Sequence, residues 1–178
     1  AASLDRSPVD LELSADGRSL ISVNQGTGSV SLVNLATQQV VDELSVGEKC
    51  THIARLGTAN SFLVSSPRTG QLIRVALNAG KLKQTGTIPI GGEPLGIAVT
   101  RDARRAYVAQ SALDTIAVVD LQTNKIVQQI PVGRWPRQLA LSRDGRKLAI
   151  ATSGDLSISI VDTAQGKMLF QEDTGGIN

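Results

Sequence analysis

The sequence predicts an all-β chain, a β-propeller segment of four blades with four antiparallel strands in each. Three observations lead there: one pattern recurs four times, the local apolar period is two, and turn residues separate runs of strand length. The recurrence rests on three independent landmarks. Pro8, Cys50, Pro94 and Pro136 open the units and stand 42, 44 and 42 residues apart. Val33-Asn34-Leu35, Val75-Ala76-Leu77, Val119-Asp120-Leu121 and Val161-Asp162-Thr163 repeat the same spacing. The closing glycines, Gly47, Gly91, Gly133 and Gly175, are spaced 44, 42 and 42, so a two-residue insertion falls between Val75 and Gly91, in the hairpin ALNAGKLKQTGT. The units run over about 7–49, 50–93, 94–135 and 136–178.

Within each unit the elements follow in order. Leu139-Ala140-Leu141, Leu148 to Ala151 and Ile158-Ser159-Ile160-Val161 are short aliphatic or β-branched runs, the composition of strands rather than helices. Asp16-Gly17 and Asp144-Gly145 turn the first hairpin, where glycine takes a positive φ at little cost. Asn24-Gln25-Gly26-Thr27-Gly28 and Ser153-Gly154-Asp155 make the second turn. Asn34, Asp120 and Asp162 open the third, with side chains able to accept from backbone N–H groups two residues on. No segment carries a helical stripe of useful length. A β-sandwich is the competing architecture, but it would not need the same turn residues at the same phase four times.

Composition bounds the chemistry. Of the 178 residues 41% are apolar but only 2% aromatic, so the core must be built from Val, Ile, Leu and Ala, which suits flat stacking between blades. The net charge of +2 leaves no electrostatic footprint for nucleic acid. Arg101, Arg104 and Arg105 surround a turn and read as solvated surface. Cys50 is the single cysteine, which excludes an intrachain disulfide, a CxxCH haem attachment and a CxxC metal knuckle. No run approaches the roughly 18 apolar residues of a membrane-spanning helix. The start, AASLDRSP, shows no signal peptide and is compatible with a mature chain.

The motif order then becomes informative. A proline, a small apolar strand, S-x-D-G-[KR], a Y-V-x-N-like strand, V-x-V-[IV]-D-x-x-T and V-x-x-I-x-V-G follow one another. This resembles the YVTN-type β-propeller repeat. The third unit matches best, with Pro94, Asp102, Tyr107-Val108-Ala109-Gln110, Val118-Val119-Asp120, Thr123, Val127 and Ile130-Pro131-Val132-Gly133. The fourth carries Pro136, Ser142-Arg143-Asp144-Gly145-Arg146 and Val161-Asp162; the first carries Ser14-Ala15-Asp16-Gly17-Arg18 and Asn24. The second unit departs most: Cys50 replaces the proline, Thr58-Ala59 the Asp-Gly pair and Ala76 the stop aspartate. The resemblance implies seven or eight blades in the complete propeller, a bacterial or archaeal source, and export to the periplasm or beyond the cell. Four blades leave two apolar sheet faces open. The expectation is a piece of a larger propeller, or a ring completed by association, for example two chains giving eight blades.

For function the repeat is specific to fold and says little about chemistry. Acids at Asp16, Asp102, Asp120, Asp144 and Asp162 recur at fixed phases, which argues a backbone role. The stretches QGTGS and TGGIN open no helix and are not phosphate loops. His52 is the only histidine, two residues from Cys50, and on a strand the two could point to one side. Any metal or thiolate site there would have to recruit carboxylates, since no second histidine or cysteine exists. The simpler reading is a divergent inner strand with a buried thiol. No catalytic constellation, metal site or cofactor is expected.

The units disagree in the connections between one blade and the next: Glu48-Lys49, Gly92-Glu93 and Arg134-Trp135, followed by His52, Gly96 and Gln138 two residues into the next unit. Trp135, the sole tryptophan, sits beside Arg134 and Arg137, the composition of an interface hot spot; the plainer alternative is that it covers the mouth between blades. Arg134, Trp135, Arg137 and His52 are therefore the candidate binding residues. The resulting expectation is a non-catalytic scaffold that binds a protein or glycan through its rim and channel loops. The alternative, implied by the resemblance, is a fragment of a redox or hydrolytic propeller enzyme, cytochrome-linked or lactonase-like, with its site in other blades. A designed half-propeller is a third reading, against which the drift of the second unit counts.

Overall fold

The computed structural model describes residues 5–175. The first four residues, and Gly176 to Asn178 with most of the TGGIN stretch, lie outside the described residues. The chain is all-β and forms four blades of four antiparallel strands, a partial β-propeller, as the repeat predicts. It divides into two compact units, residues 1–89 and 90–178, each holding two blades. In the first unit blade 1 comprises β1 (Pro8–Leu13), β2 (Ser19–Asn24), β3 (Ser29–Asn34) and β4 (Gln39–Ser45). Blade 2 comprises β5 (Ile53–Arg55), β6 (Ser61–Ser66), β7 (Gln71–Asn78) and β8 (Lys81–Pro89). In the second unit blade 3 holds β9 (Pro94–Val99), β10 (Arg105–Gln110), β11 (Thr115–Asp120) and β12 (Lys125–Pro131). Blade 4 holds β13 (Pro136–Leu141), β14 (Lys147–Thr152), β15 (Ser157–Asp162) and β16 (Lys167–Asp173). The two extra residues of blade 2 lengthen the β7–β8 hairpin, which pairs from Gln71 and Pro89 out to Asn78 and Lys81.

Local chemistry explains the turns. Asp16, Asp102 and Asp144 each accept from a Ser or Thr hydroxyl two residues earlier and from the N–H two residues later, pinning the first hairpin. The same hydroxyls, first among the causes, hold all three carboxyls below the usual range. Asn34, Asp120 and Asp162 accept from N–H groups two and three residues on, as the Asx reading expects. Blade 2, lacking the Asp-Gly pair, places its positive φ at Gly57 instead.

Period two sorts each sheet into two faces. In the first unit Ile21, Val23, Val30 and Leu32 of blade 1 join Phe62, Val64, Ile73 and Val75 of blade 2 in one buried cluster. In the second unit Tyr107, Ala109, Ile116 and Val118 of blade 3 join Leu148, Ile150 and Val161 of blade 4. These are the same repeat positions in both seams. Burying such side chains contributes roughly 1.5–3 kcal/mol each. Phe62 and Tyr107 are the buried aromatics, one per unit; Trp135 and Phe170 are exposed.

One irregularity recurs, and one close approach is particular to blades 3 and 4. Each ladder between the third and fourth strand carries a register shift at one rung, at Leu32/Val33, Arg74/Val75, Val118/Val119 and Ile160/Val161. Gly96 of β9 faces a second constraint: a Cβ there would run into the carbonyl oxygen of Arg137, so β9 and β13 approach as closely as backbones allow only because position 96 is glycine.

Candidate functional site

The connections into each blade share one backbone device. Ser7, Lys49, Glu93 and Trp135, the residues just before each unit opens, all take the left-handed conformation, with φ of 44°, 55°, 53° and 53°. In blades 1, 3 and 4 two bonds from the second turn clamp this connection. Gln25 and Gly26 N–H donate to Ser7 and Arg6 carbonyls, Ser111 and Ala112 to Glu93 and Gly92, and Ser153 and Gly154 to Trp135 and Arg134. In blade 2 the first donor position is Pro67, which has no N–H to give.

At the fourth connection the clamp is reinforced from the other side. Trp135 N–H donates to Asp114 Oδ1 at 2.9 Å, and Arg134 N–H donates to Asp155 Oδ2 at 3.0 Å. Asp114 itself is left-handed, at φ 55°, where the other units place Gly28, Gly70 and Leu156. Asp155 also accepts from the Thr152 and Ser157 hydroxyls, and the Thr152 hydroxyl leads the causes that hold its carboxyl below the usual range. Arg134 turns its guanidinium back, with Nη2 donating to the Gly154 carbonyl at 2.9 Å.

The consequence is a rigid loop with an unsupported aromatic. Trp135 is 59% exposed although its backbone is fixed on every side. Left-handed backbone costs a non-glycine residue roughly 1–2 kcal/mol, and this side chain recovers little of that by burial. Arg134 and Arg137 flank it, both exposed, Arg137 from the start of β13. The second unit thus brings three of the four sequence candidates into one stretch.

His52 belongs to the first unit. The strand there starts at Ile53, so Cys50 and His52 lie before it and the same-side argument does not apply to them. Cys50 is buried and its Sγ donates to the Gly47 carbonyl, while burial pushes its thiol up to about 11. His52 Nδ1 lies 3.1 Å from Thr51 Oγ1, and the His52 backbone N–H donates to Ser65 Oγ. Nearby, the Glu48-Lys49 connection and the Gln25 to Gly28 turn line a cleft of about 560 Å³. Among the described residues no three His, Cys, Asp or Glu side chains are grouped to hold a metal ion. Asp114 was not singled out by the sequence and Asp155 was read only as a turn residue; the one available signal was that Asp114 fills a turn position held by glycine in blades 1 and 2.

Residues 69–174, more than half of the chain, match the family described as lactonase, 7-bladed β-propeller. No curated protein matches it. Among solved structures it is similar to Kuenenia stuttgartiensis hydrazine synthase, with a TM-score of 0.85 and 26% identity, covering 96% of this chain and 50% of that one. It is also similar to a functionally unknown protein from Desulfotomaculum acetoxidans, with a TM-score of 0.78, 18% identity and coverage of 92% and 54%. A third likeness is to the β-propeller domain of Myceliophteria thermophila Cps50 (Swd1), with a TM-score of 0.75, 15% identity and coverage of 92% and 58%. The last two show the fold alone. The chain spans about half the length of the solved structures it matches, 50% to 58%.

Proposed function

Because the chain belongs to the seven-bladed β-propeller lactonase family, we propose that it supplies propeller blades whose own role is recognition: a scaffold that binds a peptide or glycan on the connection carrying Arg134, Trp135 and Arg137. One observation carries this reading. Trp135 is held in a strained backbone conformation by carboxylates on both sides of the loop, yet its ring stays in solvent. The equivalent left-handed positions hold Ser7, Lys49 and Glu93, so the backbone there does not call for an indole and the ring's use lies outside the fold. An exposed indole between two arginines offers a flat face for a sugar ring or an aliphatic side chain, with cationic groups for an acidic neighbour. The YVTN-type label and an exported location belong to this same reading, supported by the repeat motifs.

The test uses the fact that Trp135 is the only tryptophan. Its fluorescence is titrated against panels of acidic peptides and oligosaccharides; a saturable change weakened in Arg137→Ala, with binding measured by calorimetry lost in Trp135→Ala, supports the reading. A flat response to every member overturns it.

The family match favours a second reading, lactone hydrolysis by a complete propeller of which these blades form a part. Ring opening of simple lactones, followed by pH-stat in the complete protein, checks it. Activity unchanged by Trp135→Ala would separate hydrolysis from the recognition loop.

A further inference from the structure

The first hairpins of blades 3 and 4 turn a run of cations toward solvent. Arg101, Arg104 and Arg105 stand on one, Arg143, Arg146 and Lys147 on the other, all exposed. Strand pairing extends both rows: Arg105 pairs with Asp120 and Asp120 with Lys125, while Lys147 pairs with Asp162 and Asp162 with Lys167. The acids among them are already engaged. Asp102 and Asp144 each accept from a hydroxyl and an N–H of their own hairpin, and Asp120 and Asp162 each accept from two N–H groups of theirs. Among the described residues only Arg104 of these cations closes an ion pair, with Asp102 at 4.0 Å.

The frame does not ask for the cations. At the position of Arg101 and Arg143, blade 1 has Ala15 and blade 2 has Gly57; at that of Arg105 and Lys147 they have Ser19 and Ser61. All four hairpins nevertheless close with the same bond, the N–H of Ser14, Leu56, Thr100 and Ser142 donating to the carbonyl five residues on. Repulsion among like charges on adjacent hairpins opposes folding, so what they gain lies with a partner. Between the two hairpins is a cleft of about 550 Å³. Val99 and Leu141, both half-buried, give it an apolar lining, and the exposed Arg101 and Arg143 border it.

We propose that this cleft binds an extended acidic segment of a protein partner, one apolar side chain entering against Val99 and Leu141 while flanking carboxylates meet the arginine forks. Among the described residues these hairpins carry no exposed aromatic or large apolar side chain. They therefore offer no platform for stacked bases and no wedge for a bilayer. The apolar lining lies inside the cleft, where a side chain on an extended backbone reaches it and a flat headgroup surface does not. The site is separate from the recognition loop: Trp135 precedes β13 and Ser142 follows it, so the whole strand stands between them.

The experiment is calorimetric titration of the 178-residue chain with a short peptide of glutamates around one central leucine. Saturable binding is expected, weakening about tenfold or more as ionic strength rises from about 0.05 M to about 0.5 M. The double variant Arg101→Ala, Arg143→Ala puts at both positions the residue that blade 1 holds there; its thermal melt should match wild type while its affinity falls about tenfold or more. Replacing the peptide's leucine by glutamate should weaken binding severalfold. Trp135→Ala should leave the affinity unchanged, which separates this cleft from the recognition loop. A sulfated oligosaccharide and phosphatidylserine vesicles are run alongside. Tighter binding of either than of the peptide, peptide affinity indifferent to the arginine variant, or no binding of the peptide at low salt overturns the proposal.

Discussion

The Trp135 N–H donates to the Asp114 carboxylate at 2.9 Å, joining two left-handed residues 21 positions apart in sequence. One aspartate therefore does two jobs: it occupies a turn position that glycine fills in blades 1 and 2, and it fixes the only tryptophan. The two jobs separate under substitution. Asp114→Gly keeps the backbone and loses the anchor, whereas Asp114→Ala loses the anchor and adds left-handed strain of about 1 kcal/mol or more. Urea midpoints should fall in the order wild type, Gly, Ala, while tryptophan anisotropy falls in both variants. Equal midpoints for the two would contradict this account.

Acid should release the loop late. Asp155 is held below the usual carboxylate range, first by the Thr152 hydroxyl, with the Arg134 N–H and Ser157 hydroxyl adding to it. A depressed folded value means the contribution is complete above the unfolded carboxylate value of about 3.9 and is lost as pH falls through the folded value. Tryptophan anisotropy should therefore hold steady from neutrality to about pH 4 and drop only below it. Thr152→Val removes the largest cause and should move that drop to higher pH; an unmoved midpoint would refute the assignment.

Cys50 should behave as a buried thiol and nothing more. With its value pushed up to about 11 by burial, the folded chain at pH 8 should react with a disulfide reagent only through unfolding, and at once in denaturant. The sign for stability is the reverse of the carboxylate case. The unfolded thiol ionises near 8.5, so stability declines as pH rises from about that value towards the folded value of about 11. Cys50→Ser should remove that slope and leave any ligand affinity unchanged. Rapid labelling of the native chain would show the burial to be wrong.

Blades 3 and 4 depend on one missing side chain. Gly96→Val drives a branched side chain into the Arg137 carbonyl, and relief requires β9 and β13 to part. Overpacking of this kind costs roughly 1–3 kcal/mol. A thermal midpoint within error of wild type would refute the close approach. Gly86, whose Cβ would meet nothing nearby, makes the control: Gly86→Ala should be nearly neutral.

Much of this fold was legible because its determinants are local. The acids of the first and third turns bond within two or three residues of themselves, so their spacing exposes them. Face alternation was equally visible in runs such as Ile158 to Val161. The left-handed connections were not, because Ser7, Lys49, Glu93 and Trp135 carry no glycine signal and owe their conformation to clamps from another turn. The anchors Asp114 and Asp155 escaped for a related reason. Each occurs in one unit only and acts about twenty residues away, beyond the reach of turn chemistry. Cys50 and His52 misled slightly, since the proline-to-cysteine change coincides with a strand that starts late, at Ile53.

The repeated register shift between the third and fourth strands has a consequence for the outermost strand of each blade. β4, β8, β12 and β16 are sheet edges, and a flat edge is a template on which a foreign strand can grow. A bulge resets the donor–acceptor phase partway along, so a straight incoming strand can match one half of the edge but not the other. Because the shift falls at the same rung in all four blades, copying the repeat also copies its protection against fibrillar growth. A chain that multiplies one motif would otherwise multiply its sticky borders with it.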